Sequence, residues 1–356
     1  MKNIISILFI AFLILVLSFT FVYIVDPKQE NEYSFDFKYY YGGGYGLYKK
    51  LHKKLEETPS VIIIGDSRSR LVSNENLHTN YQVLNFHVLY NNPLGVYDFL
   101  NNLNHKQITN IKKIYYLLDT HIFCGDMGVN KYFGKNKYQI FFDQLKNFNL
   151  TKIEQAYKTI IINTMPKYIF EENYVPYYYV SNLGHTLLVQ DRTWDGIGIE
   201  VLHEPNFSLS TIKTLKKIND WVKNNNKEII FYTPTHSLED FNLHVNEKFM
   251  RTIILQRFYI LDYIDGFYDF SLVESLSRDK SLFEDIFHLN NRCFAILFNK
   301  INWDLYYVNK NNYMNKINKL FKKWQIEEDP FWFKDKKNIK EESYKKYYNK
   351  ISKKCL

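Results

Sequence analysis

Two short stretches near opposite ends of the chain carry residue types that together perform nucleophilic catalysis. The first, SVIIIGDSRSRLV (Ser60–Val72), runs four β-branched residues into Gly65-Asp66-Ser67. The second, FEDIFHLNN (Phe283–Asn291), sets Asp285 three residues before His288. A serine hydroxyl is a weak nucleophile until an adjacent base takes its proton, and the base works best when a third group orients it. Side chains three apart share a face on a loop or helical turn. Asp285 can therefore accept from one ring nitrogen of His288 while the other nitrogen faces Ser67. The catalytic candidates are Ser67 as nucleophile, His288 as base and Asp285 as acid. The plainer alternatives are a turn or helix-capping role for Ser67 and a packed histidine near the closing helix for His288.

Neighbouring residues extend the set. Arg68 and Arg70 follow the serine, and a guanidinium suits an anionic sugar or phosphate, which makes both candidate substrate contacts. The alternative is that they cap local carbonyls or pair with acids on a helix surface. His236, after YTPT, is a further candidate for lining the pocket, or else a satisfied loop histidine. His236, Asp240 and His244 are not at a recognised metal-ligand spacing, so neither metal nor cofactor is expected. Gly42-Gly43-Gly44 lacks the spacing and lysine of a phosphate loop.

These residues need elements to hold them. Val61–Ile64 has strand length; YQVLNF (81–86), IKKIYYLLD (111–119) and EIIFYTP (228–234) read as further strands, and FYILDYID (258–265) as a candidate fifth. PLGVYDFLNNL reads as a helix, as does SLSTIKTLKKINDWVKNNNK, with Ile212, Leu215, Ile218 and Val222 at helical spacing. RCFAILFNKI closes the series. Strands alternating with helices predict an α/β fold with a mainly parallel sheet. A serine just after the first such strand lies at the sheet's carboxyl edge, where open α/β sheets put their sites. Residues 125–205 make an insertion too long for a structureless loop, expected to carry helices and to cover one sheet edge.

VIIIGDSRSR and DIFHLNN resemble the first and last blocks of the SGNH (GDSL-type) hydrolase superfamily, and EIIFYTPTH and LDYIDGFYDFS resemble its late segments. The resemblance spans roughly residues 58–301. It implies a three-layer, flavodoxin-like sandwich and ester hydrolysis or acyl transfer, with Ser67, His288 and Asp285 in the family's catalytic places. Two blocks depart from the pattern. The family's second-block glycine falls at Tyr90 or Asn91, and its third-block Gly-x-Asn is replaced within LLDTHIF by Asp119, Thr120 or His121. An ionised aspartate would repel an oxyanion, so Tyr90, Asn91 and His121 are the candidate oxyanion residues. These departures weaken simple hydrolysis and favour acyl transfer or a scaffolding role.

Ile4–Val25 is a run of 22 uncharged, mostly apolar residues. At 1.5 Å per residue it spans about 33 Å, enough for a hydrocarbon core of about 30 Å. Its small-x-small candidate, Ser18-Phe19-Thr20, lies inside the apolar run, which favours an uncleaved anchor over a signal peptide. A short N-terminus before a long body places that body on the extracytoplasmic, periplasmic face of the inner membrane. Asp26-Pro27 after the anchor, and the whole layout, are similar to membrane-anchored SGNH proteins of bacterial surface-polysaccharide modification.

The expected organisation is an anchor over residues 1–25, a juxtamembrane segment over 26–59, the α/β domain over 60–301 and a basic aromatic tail over 302–356. Nearly all of the net charge of +8 lies in that tail, so a nucleic-acid-binding core is not indicated. The tail itself reads as a solvated helical appendage or as a surface for anionic lipid. Cys124, Cys293 and Cys355 contain no CxxC pair and make no disulfide framework. The function expected is a membrane-anchored serine esterase or O-acyltransferase acting on a cell-envelope glycan or acyl donor. As a transferase it would, by family analogy, work beside a multi-span membrane acyltransferase. The alternative is a non-catalytic assembly or binding component of an envelope polysaccharide complex.

Overall fold

The computed structural model describes residues 2–26, 39–40, 45–87, 92–119, 123, 137–164, 179–181, 183, 186–187, 209–237, 256–284 and 288–319. In chain order its elements begin with α1 (Lys2–Val25), β1 (Tyr39–Tyr40), α2 (Tyr45–Glu57), β2 (Ser60–Ile64), α3 (Asn74–Leu77) and β3 (Gln82–Asn85). Next come α4 (Pro93–Asn101), α5 (His105–Asn110), β4 (Ile111–Leu117), α6 (Lys137–Lys146), α7 (Leu150–Thr164), β5 (Tyr179–Ser181) and β6 (Thr186–Leu187). The last are α8 (Leu209–Asn224), β7 (Ile229–Thr233), β8 (Phe267–Asp269), α9 (Glu274–Ser277), α10 (Asn291–Asn299) and β9 (Tyr307–Val308). The chain divides into two compact units, one of residues 1–57 with 131–190 and one of 58–130 with 191–356.

In the first unit, α1 carries the one candidate membrane span among the described residues. Large apolar side chains from Ile4 to Leu17 are exposed, whereas Val22 and Val25 are buried with Ala156 of α7. Phe21, Phe148, Ile153 and Ile160 pack against that cluster. β1 pairs antiparallel with β5, and β5 with β6. Among the described residues the insertion expected at 125–205 contains α6 and α7, and α7 packs on the N-terminal helix.

The second unit is mixed α/β around a six-stranded sheet of order β3-β2-β4-β7-β8-β9. All pairings are parallel except that of β9, which runs antiparallel to β8. Central parallel strands are covered on both faces, which is why β2 has no polar alternation and Val61 to Ile64 are all buried. α4 starts at Pro93, whose missing N–H costs nothing at that position, and Asn92 caps it by accepting from Leu94 N at 2.8 Å. Its apolar face, with Val96, Phe99 and Leu100 buried, packs on α8, where Ile212, Leu215, Ile218 and Val222 are buried as their spacing predicts.

Two expectations are corrected. FYILDYID is not a strand: residues 256–260 are helical and 261–263 form a turn. Phe258, Ile260, Leu261 and Ile264 bury one side of that turn, and the fifth parallel strand is β8, just beyond it. The sheet also continues past residue 301. Trp303–Tyr306 forms a 3₁₀ turn, β9 extends the sheet, and Tyr313 and Ile317 in the helical stretch 313–319 are buried. Residues 320–356 of the expected tail lie outside the described residues, as does Cys124. Cys293 is buried in α10, and burial pushes its thiol up to about 12, so it is inert at neutral pH.

Candidate active site

Beginning at β2 the parallel strands lie in the order second, first, third, fourth, fifth, so the winding direction reverses between β2 and β4. A crevice opens at the carboxyl ends of strands where the order reverses. The segment after β2 enters that crevice. Gly65 makes the exit possible, because a Cβ there would lie 2.7 Å from both Leu117 Cβ and Ser69 Oγ. Asp66 then caps the 3₁₀ turn Ser67–Ser69, its Oδ1 accepting from Arg68 N at 2.8 Å. Ser69 Oγ donates to Asp66 O at 2.9 Å, and Asn85 Nδ2, at the end of β3, donates to Ser69 O and Val72 O at 2.9 and 3.0 Å. The turn is tied down on both sides, and Ser67 is exposed at its start.

His288 arrives from a second tied-down loop. Glu284 N donates to His288 O at 2.8 Å, and Phe283 bridges to Leu289, so the two sides of this segment are tied together. Asn290 anchors its far side, accepting from Cys293 N to cap α10 and donating Nδ2 to Ser281 O at 2.7 Å. The result is that Ser67 Oγ and His288 Nε2 stand 2.9 Å apart across 221 residues of sequence. That is hydrogen-bonding distance for a hydroxyl donating to a neutral imidazole, the arrangement in which a histidine accepts the serine proton.

The two arginines point inward. Arg68 Nε pairs with Asp119 Oδ2 at 3.1 Å, just past the end of β4, and its Nη1 lies 3.3 Å from His236 Nδ1, just past β7. A guanidinium only donates, so that contact is a hydrogen bond when His236 Nδ1 carries the lone pair. Arg70 Nη2 meets Glu284 Oε2 at 2.6 Å, so the serine turn is joined directly to the base of the histidine loop. Both pairs are buried. Arg68, Arg70 and His236, read from sequence as substrate contacts, are thus buried in contacts with other protein groups.

Next to the serine, the Asp66 carboxyl interacts with that of Asp119. Desolvation, then the neighbouring Asp119 carboxylate, hold the Asp66 carboxyl well above the usual range, against the opposing pull of Arg68. The folded chain therefore keeps a proton that the unfolded chain releases near pH 4, and stability falls as pH rises from there through the raised folded value. The slope from one such proton is about 1.4 kcal/mol per pH unit. Asn at this position keeps an acceptor for Arg68 N and a donor for Asp119 without titrating. In Asp66→Asn that part of the slope should vanish, so the variant gains on the parent chain as pH rises from 4 through the raised folded value. Thermal midpoints in detergent across that range check it; parallel curves would refute the raised carboxyl.

Of the residues named from sequence, the structure brings together Ser67, His288, Arg68, Arg70 and His236. Asp285, Tyr90, Asn91 and His121 lie outside the described residues. Asp119 does not serve as an oxyanion donor; it is the counter-ion of Arg68. Sequence reasoning missed Asp66, Asn85 and Glu284 as site builders. A signal was present for Asp66, which immediately precedes the serine; Asn85 and Glu284 are brought there by the fold. Neither the family models nor the curated proteins compared with the chain give a match.

Proposed function

We propose that the chain is a membrane-anchored serine esterase or O-acyltransferase of SGNH type, acting on acyl esters of a cell-envelope polysaccharide. The observation that carries this reading is the 2.9 Å contact between Ser67 Oγ and His288 Nε2, with Ser67 exposed at the carboxyl edge of the sheet. Ser67 Oγ attacks the acyl carbonyl while its proton passes to His288 Nε2. The tetrahedral adduct collapses, the alcohol leaves with that proton, and the acyl group stays on Ser67. Water or a sugar hydroxyl then gives its proton to His288, attacks the acyl-serine and releases it. Asp285 takes the orienting role by resemblance.

The strand order supports the three-layer part of the proposal. Right-handed crossovers in this order put α4 and α8 on one face and α3 on the other. The packing of α4 on α8 and of α10 on α3 agrees with that division. The burial of Val22 and Val25 in a shared core with α7 supports a retained anchor, since removing α1 would strip that core. A single span cannot carry an acyl group across a membrane, so transfer would require a multi-span partner as donor.

The test is a fluorophosphonate probe applied to the full chain in detergent. Parent protein should form a covalent adduct at Ser67, and Ser67→Ala and His288→Ala should not. A folded parent chain that stays unlabelled would move the reading to a non-catalytic binding or assembly component of an envelope complex.

A further inference from the structure

We infer that α6 is a second membrane contact, an amphipathic helix seated in the lipid boundary beside the exit of α1. This rests on the reading of α1 as a retained anchor, and it concerns one unit of the chain only. Tyr138, Phe141, Phe142 and Leu145 stand at i, i+3, i+4 and i+7 of α6 and are exposed, and Phe142 is 63% exposed. That spacing makes one continuous apolar stripe on the side of the helix away from its own core. Leu150, at the turn into α7, is 83% exposed.

Continuity with the span identifies the occupant. The Phe141 ring stands 5.6 Å from both Phe19 and Tyr23 of α1, edge-on to each, and Phe148 stands 5.5 Å from Phe19. Phe142 stacks its edge on Phe141 at 5.7 Å. Gln144 Nε2 donates to Asp26 Oδ1 at 3.3 Å, so the polar end of α1 and the inner side of α6 close together. Ile4–Val25 matches the thickness of a hydrocarbon core to within a few ångströms, so a membrane around it holds Phe19 and Tyr23 at or inside the boundary. Phe141 must be at the same depth, and the stripe beside it then faces acyl chains.

Interfacial helices bury their apolar side about 5–10 Å into that boundary, with aromatic rings at headgroup level. Lys146, exposed at the end of α6, can extend its ammonium group to the headgroups. The exposed Glu154–Lys158 ion pair marks where the surface of α7 returns to water.

The experiment reconstitutes the full chain in phosphatidylcholine vesicles containing a phospholipid with a photoreactive diazirine on its acyl chain. Cross-links are mapped by mass spectrometry after illumination. Label should appear on α1 between Ile4 and Leu17 and on Phe142, Leu145 and Leu150. It should clearly exceed that on Glu154 and Lys158, the ion pair of α7 in the same unit. Label on α1 without label on α6 would overturn the inference and leave the anchor standing, as when a second copy or another protein covers the stripe. An unlabelled α1 would overturn the anchor reading itself. Equal label on the Glu154–Lys158 pair and α6 would mean that exposure, and not depth, sets the signal, and would also overturn the inference.

Discussion

Replacing either Ser67 or His288 by alanine should slow turnover of an activated acetyl ester by about 10⁴- to 10⁶-fold, and the double variant should be no slower than the worse single one. The expectation follows from shared labour. With the imidazole gone, the Ser67 proton has no acceptor at 2.9 Å; with the hydroxyl gone, His288 has no nucleophile to activate. Either deletion removes the same covalent path, so the second adds nothing. Added imidazole should restore part of the rate in His288→Ala and none in Ser67→Ala. A capping or turn serine would behave differently. The turn is held by Asp66, Ser69 and Asn85, whose hydrogen bonds do not use the Ser67 side chain, so its loss would leave both fold and rate nearly unchanged. Additive losses, or losses below tenfold, would remove Ser67 and His288 from the chemistry.

What the sequence revealed was whatever is written locally. Four β-branched residues before a glycine made β2 legible, and the strand buries all four. The serine and histidine were legible because each sits in a short, recognisable block, although the contact between them spans the chain. Residues 258–265 were misread because four apolar residues in eight, mixed with tyrosines, fit either period. β9 contributes only two residues, and it is placed by close packing of Tyr307 and the Val308 carbonyl over Gly266, which no periodicity records. The partners of Arg68 and Arg70 were illegible for a related reason. A charge in a local motif does not say whether it turns to solvent or to an acid from a distant strand. Asp119 and Glu284 are brought there by the order of the sheet and by the histidine loop.

The ion pair of Arg70 with Glu284 carries the largest expected effect on stability. Arg70 belongs to the serine turn and Glu284 to the base of the histidine loop, and the pair is buried at 2.6 Å. In Arg70→Met the buried Glu284 carboxylate loses the guanidinium at 2.6 Å. Breaking a buried pair from one side costs about 3–5 kcal/mol, because the remaining charge keeps its desolvation penalty without compensation. In Arg70→Met with Glu284→Leu no charge remains to be desolvated, and replacement by apolar groups of similar volume is often neutral or stabilising. The double variant should therefore recover most of the lost stability. It should not recover rate. The pair is a direct strut between the segments that carry Ser67 and His288, and a displacement of about 1 Å between reacting groups can cost about 100-fold. Urea midpoints and ester turnover, measured on the same four proteins, separate the two roles. Recovery of stability with turnover still reduced would make the pair a positioning device. Recovery of both would make it an ordinary buried ion pair, and single variants costing less than about 1 kcal/mol would mean that the site is open to water.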